Sequence, residues 1–140
     1  MKGILKMKYS DFKFIQPLLT KAHFDILNNF DGKPDMEVSI NLKKNILRFT
    51  GQNKAVVSIN IRLNQLENDK KRKNIPFIAE VEMQSIFTWK EDLNEEEINK
   101  FLNQNAVALI LSYIRPIIAT LTASSPLQTY NLPFIQITND

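Results

Sequence analysis

Strict two-residue alternation is the feature that most narrows what this chain can become. Residues 56–64 set Val57, Ile59, Ile61 and Leu63 against Ser58, Asn60, Arg62 and Asn64. Residues 36–43 set Met36, Val38, Ile40 and Leu42 against Glu37, Ser39, Asn41 and Lys43. Residues 76–83 set Phe77, Ala79, Val81 and Met83 against Ile78, Glu80, Glu82 and Gln84, and a shorter run over 8–15 sets Phe12 and Phe14 against Asp11 and Lys13. Period two over this many residues predicts strands with one dry face and one wet face. A sheet that is wet on one side is normally antiparallel, so four antiparallel strands are expected. Thr50-Gly51-Gln52-Asn53 reads as a short turn and residues 67–74 as a polar hairpin loop. Residues 17–35, with Pro17, Asp31-Gly32 and Pro34, form a longer link, in which Phe24, Ile26 and Leu27 make either a short extra strand or a crossover.

In the last third the period becomes helical. Asn94 is an N-cap, and Glu95, Glu96 and Glu97 fill a first turn where negative charge suits the helix dipole. Ile98, Phe101 and Leu102 give this first helix an apolar side. A second helix starts near Asn105, with Val107, Ile110, Leu111, Ile114, Ile117, Ile118 and Leu121 at helical spacing. Ala106, Leu109 and Tyr113 are apolar on another side. A helix apolar on two sides needs two burial partners. The sheet supplies one, so a second subunit is expected to supply the other, with Val107, Ile110, Leu111, Ile114 and Ile118 as interface residues. Pro116 predicts a kink or boundary, Ser125-Pro126 the helix end, and residues 132–137 a short extended tail. The expected fold is α+β: a four-stranded antiparallel sheet followed by a short helix and a long apolar helix packed on one face. A length of 140 residues suits a single domain over 1–140.

Residues 106–123 approach membrane-spanning length, but Ser112, Arg115, Pro116, Thr120 and Thr122 interrupt them. A central arginine is costly in lipid, so a buried helix is the expectation, without membrane insertion. The apolar stretch at the N-terminus is too short for a signal peptide, which leads to an expected cytoplasmic location.

Chemistry is constrained mainly by what the sequence lacks. With no cysteine there are no disulfides, thiolate metal sites or cysteine nucleophiles. The one histidine, His23, has no partner at metal-ligand spacing and reads as a polar surface residue. The net charge is +3, and much of the excess sits in Lys70, Lys71, Arg72 and Lys73, a solvated hairpin tip. No basic stripe is interleaved with aromatics, so nucleic acid is not an expected partner. No carboxylate pair is spaced for acid–base work, and Ser112, Ser124 and Ser125 lack a nucleophile elbow. A non-enzymatic binding protein without cofactor or metal is expected.

Particular segments resemble the SecB family of protein-export chaperones. Tyr9-Ser10-Asp11-Phe12-Lys13-Phe14 is similar to the family's first strand, and Phe77-Ile78-Ala79-Glu80-Val81 followed by Ile86-Phe87 to the end of its fourth. Leu111-Ser112-Tyr113-Ile114-Arg115-Pro116 resembles the part of its long helix where an aromatic and an arginine precede apolar residues, and residues 127–135 the loop after it. The resemblance covers residues 8–137. It implies a homotetramer, a dimer of dimers with the long helices between two sheets. It also implies an ATP-independent holdase that keeps unfolded polypeptides in apolar grooves and delivers them to the SecA motor. Client contacts then fall to Phe24, Phe30, Phe87 and Trp89 as aromatic anchors. Asp11, Ile78 and Glu80 match the family's translocase-docking residues, and alternation independently puts all three on the wet face. Ile15 stands where that patch has another acid, and the family's final helix has no counterpart here. Two rivals follow: a dedicated chaperone for one partner, as in toxin–antitoxin systems, and an oligomeric adaptor that binds no unfolded chain.

Overall fold

The computed structural model describes residues 11–27, 38–64, 75–127 and 129–135. Five strands appear: β1 (Phe12–Phe14), β2 (Leu18–Ile26), β3 (Ile40–Arg48), β4 (Lys54–Leu63) and β5 (Phe77–Trp89). All pair antiparallel, in the order β1-β5-β4-β3, with β2 also on β5. Phe12 to Phe14 pair with Trp89 to Phe87, and Leu18 to Ile26 with Gln84 to Phe77. The two short strands thus follow one another along a single edge of β5, and the sheet is four strands wide although five strands build it. The open alternative in the long link is settled in favour of a strand. The polar loop at 67–74, including the basic tip, lies outside the described residues.

Alternation places β4 and β5 as expected. On β4 the inner residues Ala55, Val57, Ile59, Ile61 and Leu63 are at most 1% exposed, while Val56, Ser58, Asn60 and Arg62 are half-buried. The turn between β3 and β4 uses Gly51 at φ 74, a left-handed conformation that glycine adopts without steric cost. Asn64 closes the other end of β4 at φ 57, which asparagine tolerates. Its carboxamide accepts from the Ser39 N–H and donates to the Phe77 carbonyl, tying the starts of β3 and β5 to the end of β4.

The two expected helices are one continuous helix. α1 (Glu95–Lys100) runs through a π-helical turn (Phe101–Asn105) into α2 (Ala106–Ala123). Asn94 caps it as predicted, accepting from the Glu97 N–H at 2.8 Å. The wide turn has a geometric purpose. Ile98 and Leu102 face the sheet, and one extra residue rephases the helix so that Val107, Ile110, Leu111, Ile114 and Ile118 face it too. Pro116 lies inside α2, on its exposed side, and is not a boundary. By length and composition this helix could cross a membrane. Its buried side, however, forms the core against β4 and β5 of its own chain.

That packing corrects one expectation. Val107, Ile110, Leu111, Ile114 and Ile118 are each at most 2% exposed within a single chain, so they build the protomer core rather than a subunit interface. On a flank of that stripe Leu109, Tyr113, Ile117 and Leu121 are half-buried against the same core, while the side turned away from the sheet carries the exposed Ala108, Ser112, Pro116 and Thr120. After α2 the tail folds back along the helix. The Tyr130 N–H donates to Thr122 Oγ1, Leu132 is buried, and Arg115 donates to the Pro133 carbonyl at 3.2 Å. Of the tail expected at residues 132–137, residues 132–135 lie outside helix and strand, and residues 136–137 lie outside the described residues.

Candidate functional site

The helix does not cover the whole inner face. It sits over β4 and β5, and inner side chains on the β1–β2 edge extend past it. Pairing fixes which ones: Phe14 lies opposite Phe87, Leu19 opposite Met83, Ala22 opposite Val81, Phe24 opposite Ala79, and Ile26 opposite Phe77. Phe14 is 45% exposed, Leu19 49% and Ile26 44%. Phe24 is half-buried, its ring 5.5 Å from that of Phe77, which in turn lies 6.4 Å from Tyr130. The result is an apolar strip along one sheet edge, running roughly 30 Å at about 3.3 Å per residue. Among the described residues no strand pairs with the outer edge of β1 and β2. Solvated backbone groups therefore border the strip, and such an edge can take an extended polypeptide as a further strand.

The expected client anchors divide accordingly. Phe24 lies in the strip. Phe30 lies outside the described residues. Phe87 is fully buried and Trp89 is 7% exposed, so neither is open to a client. Both belong to an aromatic cluster that fixes β1 to the helix: Phe12 stacks on Phe101 at 3.7 Å, and Phe101 meets Phe87 edge-on at 5.7 Å. The Arg48 guanidinium closes this end, 5.3 Å from the Trp89 ring centre and 2.6 Å from Glu95. The hydrogen bond from Arg48 holds the exposed Glu95 carboxyl below its ordinary range. Sequence reading missed Phe14, Leu19 and Ile26. For Leu19 and Ile26 the signal is the alternation of Ala22, Phe24 and Ile26 with Lys21, His23 and Asp25, which the adjacent Leu18 and Leu19 obscure.

The three docking candidates all lie on the outer side, but not together. Asp11 pairs with Lys90 at 3.2 Å, just beyond the end of β5. Ile78 and Glu80 stand near the start of β5, about 30 Å away along the strand. Nor is Glu80 a free acid. Asn60 donates to it at 2.8 Å, Arg62 at 3.2 Å, and Lys21 lies at 3.5 Å. The Asn60 hydrogen bond, aided by Arg62 and Lys21 against partial burial, lowers its pKa. His23 is exposed and bonds Asp25 at 2.8 Å. Among the described residues no group of three His, Cys, Asp or Glu is placed to hold a metal ion.

The sequence model of the SecB family, described as preprotein translocase subunit SecB, matches residues 10–138. The chain belongs to that family, and membership supports a chaperone role. No curated protein matches it. Among solved structures, it is similar to the SecB-like chaperone Rv1957 of Mycobacterium tuberculosis, in complex with a ChAD peptide from the Rv1956 HigA1 antitoxin. That likeness has a TM-score of 0.69 and 16% identity, covering 91% of this chain and 93% of the other. It is also similar to a Streptococcus agalactiae protein of unknown function, with a TM-score of 0.51 and 13% identity, covering 88% and 97%. Both likenesses show the fold: an antiparallel sheet with a C-terminal helix.

Proposed function

We propose that this SecB-family protein is an ATP-independent holdase that keeps unfolded polypeptide segments extended along the inner strip of the β1–β2 edge. One observation carries the reading: Phe14, Leu19 and Ile26 stand nearly half exposed beside a strand edge that no described residue pairs. Burying a client's apolar side chains there gains roughly 25 cal/mol per Å². Many such small contacts, together with sequence-blind backbone pairing, give broad acceptance of extended chains. The protein works in the cytoplasm as a homotetramer, with the Leu109, Tyr113, Ile117 and Leu121 side of α2 between subunits.

A client-dedicated role, of the kind seen when the M. tuberculosis SecB-like chaperone holds an antitoxin peptide, is favoured over delivery to SecA. The observation behind this preference is electrostatic: Glu80 is neutralised by Lys21 and Arg62, and Asp11 is remote from it and paired with Lys90. The test is light scattering on the native particle, with and without a reduced, unfolded model protein and without nucleotide. A complex that forms with wild type and weakens about tenfold with Leu19→Ser plus Ile26→Ser supports the proposal. No complex with any of several unfolded proteins overturns it.

A further inference from the structure

The outer face of the sheet, opposite the helix, carries rows of side chains fixed by register. One row is apolar from edge to edge. Leu47 lies opposite Val56, and Val56 opposite Ile86. Ile15, the residue after the inner-facing Phe14 and hence turned outward, donates its N–H to the Ile86 carbonyl at 3.0 Å. Leu18 follows, opposite Gln84. Leu47 is 58% exposed, Ile15 59% and Leu18 61%, and no described residue covers them. Their open surface is on the order of 300 Å², a size that on single proteins is often functional.

Charge frames this band on both sides. Lys13 and Lys54, both opposite Thr88, form the row beyond it toward the β5 end. On the other side, past the polar row of Asn45, Ser58 and Gln84, stand Lys43 opposite Asn60 and Lys21 opposite Glu82. The nearest acids are already occupied: Glu82 accepts from Thr20 and Asn60, Glu80 is ringed by cations, and Asp11 pairs with Lys90.

We infer that this band is a second docking surface whose occupant is an amphipathic, acidic segment of a partner protein, laid across the strands. Strands stand about 4.8 Å apart, so the band is roughly 14 Å long from β3 to the β1 edge. That length matches an apolar stripe of about two and a half helical turns, at 1.5 Å per residue. Acidic residues flanking such a stripe meet Lys13 and Lys54 on one side and Lys43 on the other, Lys21 being paired with Glu80. An anionic membrane fits less well, because Glu80, Glu82 and Asp25 share the face. The inference stands independently of what the inner strip binds.

The test uses the full chain and two synthetic helices of about 14 residues with the same leucine stripe, one flanked by glutamates and one by lysines. The glutamate-flanked helix is expected to shift the backbone amides of Leu47, Val56, Ile86 and Ile15, and to bind at least about tenfold tighter than its counterpart. Leu47→Ser with Ile15→Ser should lower that affinity about tenfold at unchanged melting temperature, and Lys13→Glu with Lys43→Glu should reverse the preference. Equal affinity for both helices, or shifts confined to Phe14, Leu19 and Phe24, would overturn the inference. So would binding of anionic vesicles that the helix does not displace. A fall in native mass for the Leu47→Ser, Ile15→Ser variant would reassign the band to contact between copies.

Discussion

Ile114 and Ile117 stand three residues apart on α2 and separate the closed core from the half-open flank beside it. Ile114 is fully buried against the sheet, whereas Ile117 is half-buried on the neighbouring flank of the helix. Ile114→Ala removes side-chain carbons from a closed core and leaves a cavity, at a cost of about 3 kcal/mol. With a urea slope of roughly 1.5 kcal/mol per molar, its unfolding midpoint should fall by about 2 M, equally at all protein concentrations. Ile117→Ala loses about 1 kcal/mol inside the protomer, since half of that side chain is already in water. If its outward half packs on a second copy, the further loss appears only as a lower native mass and a midpoint that rises with protein concentration. Urea titrations at two concentrations, followed by far-UV circular dichroism alongside light scattering, separate the two behaviours. A concentration-independent loss for Ile117→Ala as large as that for Ile114→Ala would refute the division of faces. An unaltered midpoint for Ile114→Ala would refute the core itself.

Three further outcomes are expected. Glu80 has a folded-state pKa below its ordinary 4.5, so its contribution is complete above about pH 4.5 and is lost as the pH falls through the lower folded value. Glu80→Gln should flatten the melting temperature against pH in that acidic window, and an unchanged slope would count against the Asn60–Arg62–Lys21 cluster. Asn94→Ala removes the side-chain cap on the Glu97 N–H and should cost about 1 kcal/mol in thermal unfolding. Trp89, the only tryptophan, is 7% exposed under Arg48. Arg48→Ala should shift its emission to the red, while an unfolded client on the inner strip should leave the wild-type emission in place.

The parts of the fold that could be read from sequence are those where one face is dry and the other wet. β4 and the first half of β5 fall where alternation puts them, because each inner residue meets the helix. Of the strand expected at 36–43, residues 36–37 lie outside the described residues, and β3 runs on to Arg48, past the expected end, because its inner face past Leu42 carries Lys44 and Arg48 and so hides the alternation. For β2 the sequence does not choose between strand and crossover, because an edge strand beyond the helix is not required to alternate: Leu18 and Leu19 are adjacent, and the register slips at Thr20. The interface expectation failed for another reason. Helical spacing identifies an apolar side but not which neighbour it meets, and the stronger stripe went to the sheet of its own chain. Residue type alone makes Phe87 and Trp89 candidate client anchors, whereas their pairing with Phe14 and Phe12 puts them under the helix.

Lys44 on β3 and Ile78 on β5 break the alternation singly, but the other breaks gather at one end of the sheet. On β5 the pattern inverts at Ser85 and Ile86, putting the hydroxyl inside and the isoleucine outside; on β3 it inverts at Leu47 and Arg48. The two polar members turned inward at that end, Ser85 and Arg48, are compensated by the fold. The Ser85 hydroxyl donates to the Ile15 carbonyl, and Arg48 stacks on Trp89 and bonds Glu95. The apolar members turned outward, Ile86 and Leu47, have no such compensation among the described residues, and with Val56 and Ile15 they fall in one transverse row. Sequences that specify a fold keep pattern and packing consistent, and they depart from that consistency chiefly where something other than folding sets the residue. When two strands depart at the same row, and only the inward half of each departure is satisfied internally, the outward half points to a contact outside the chain.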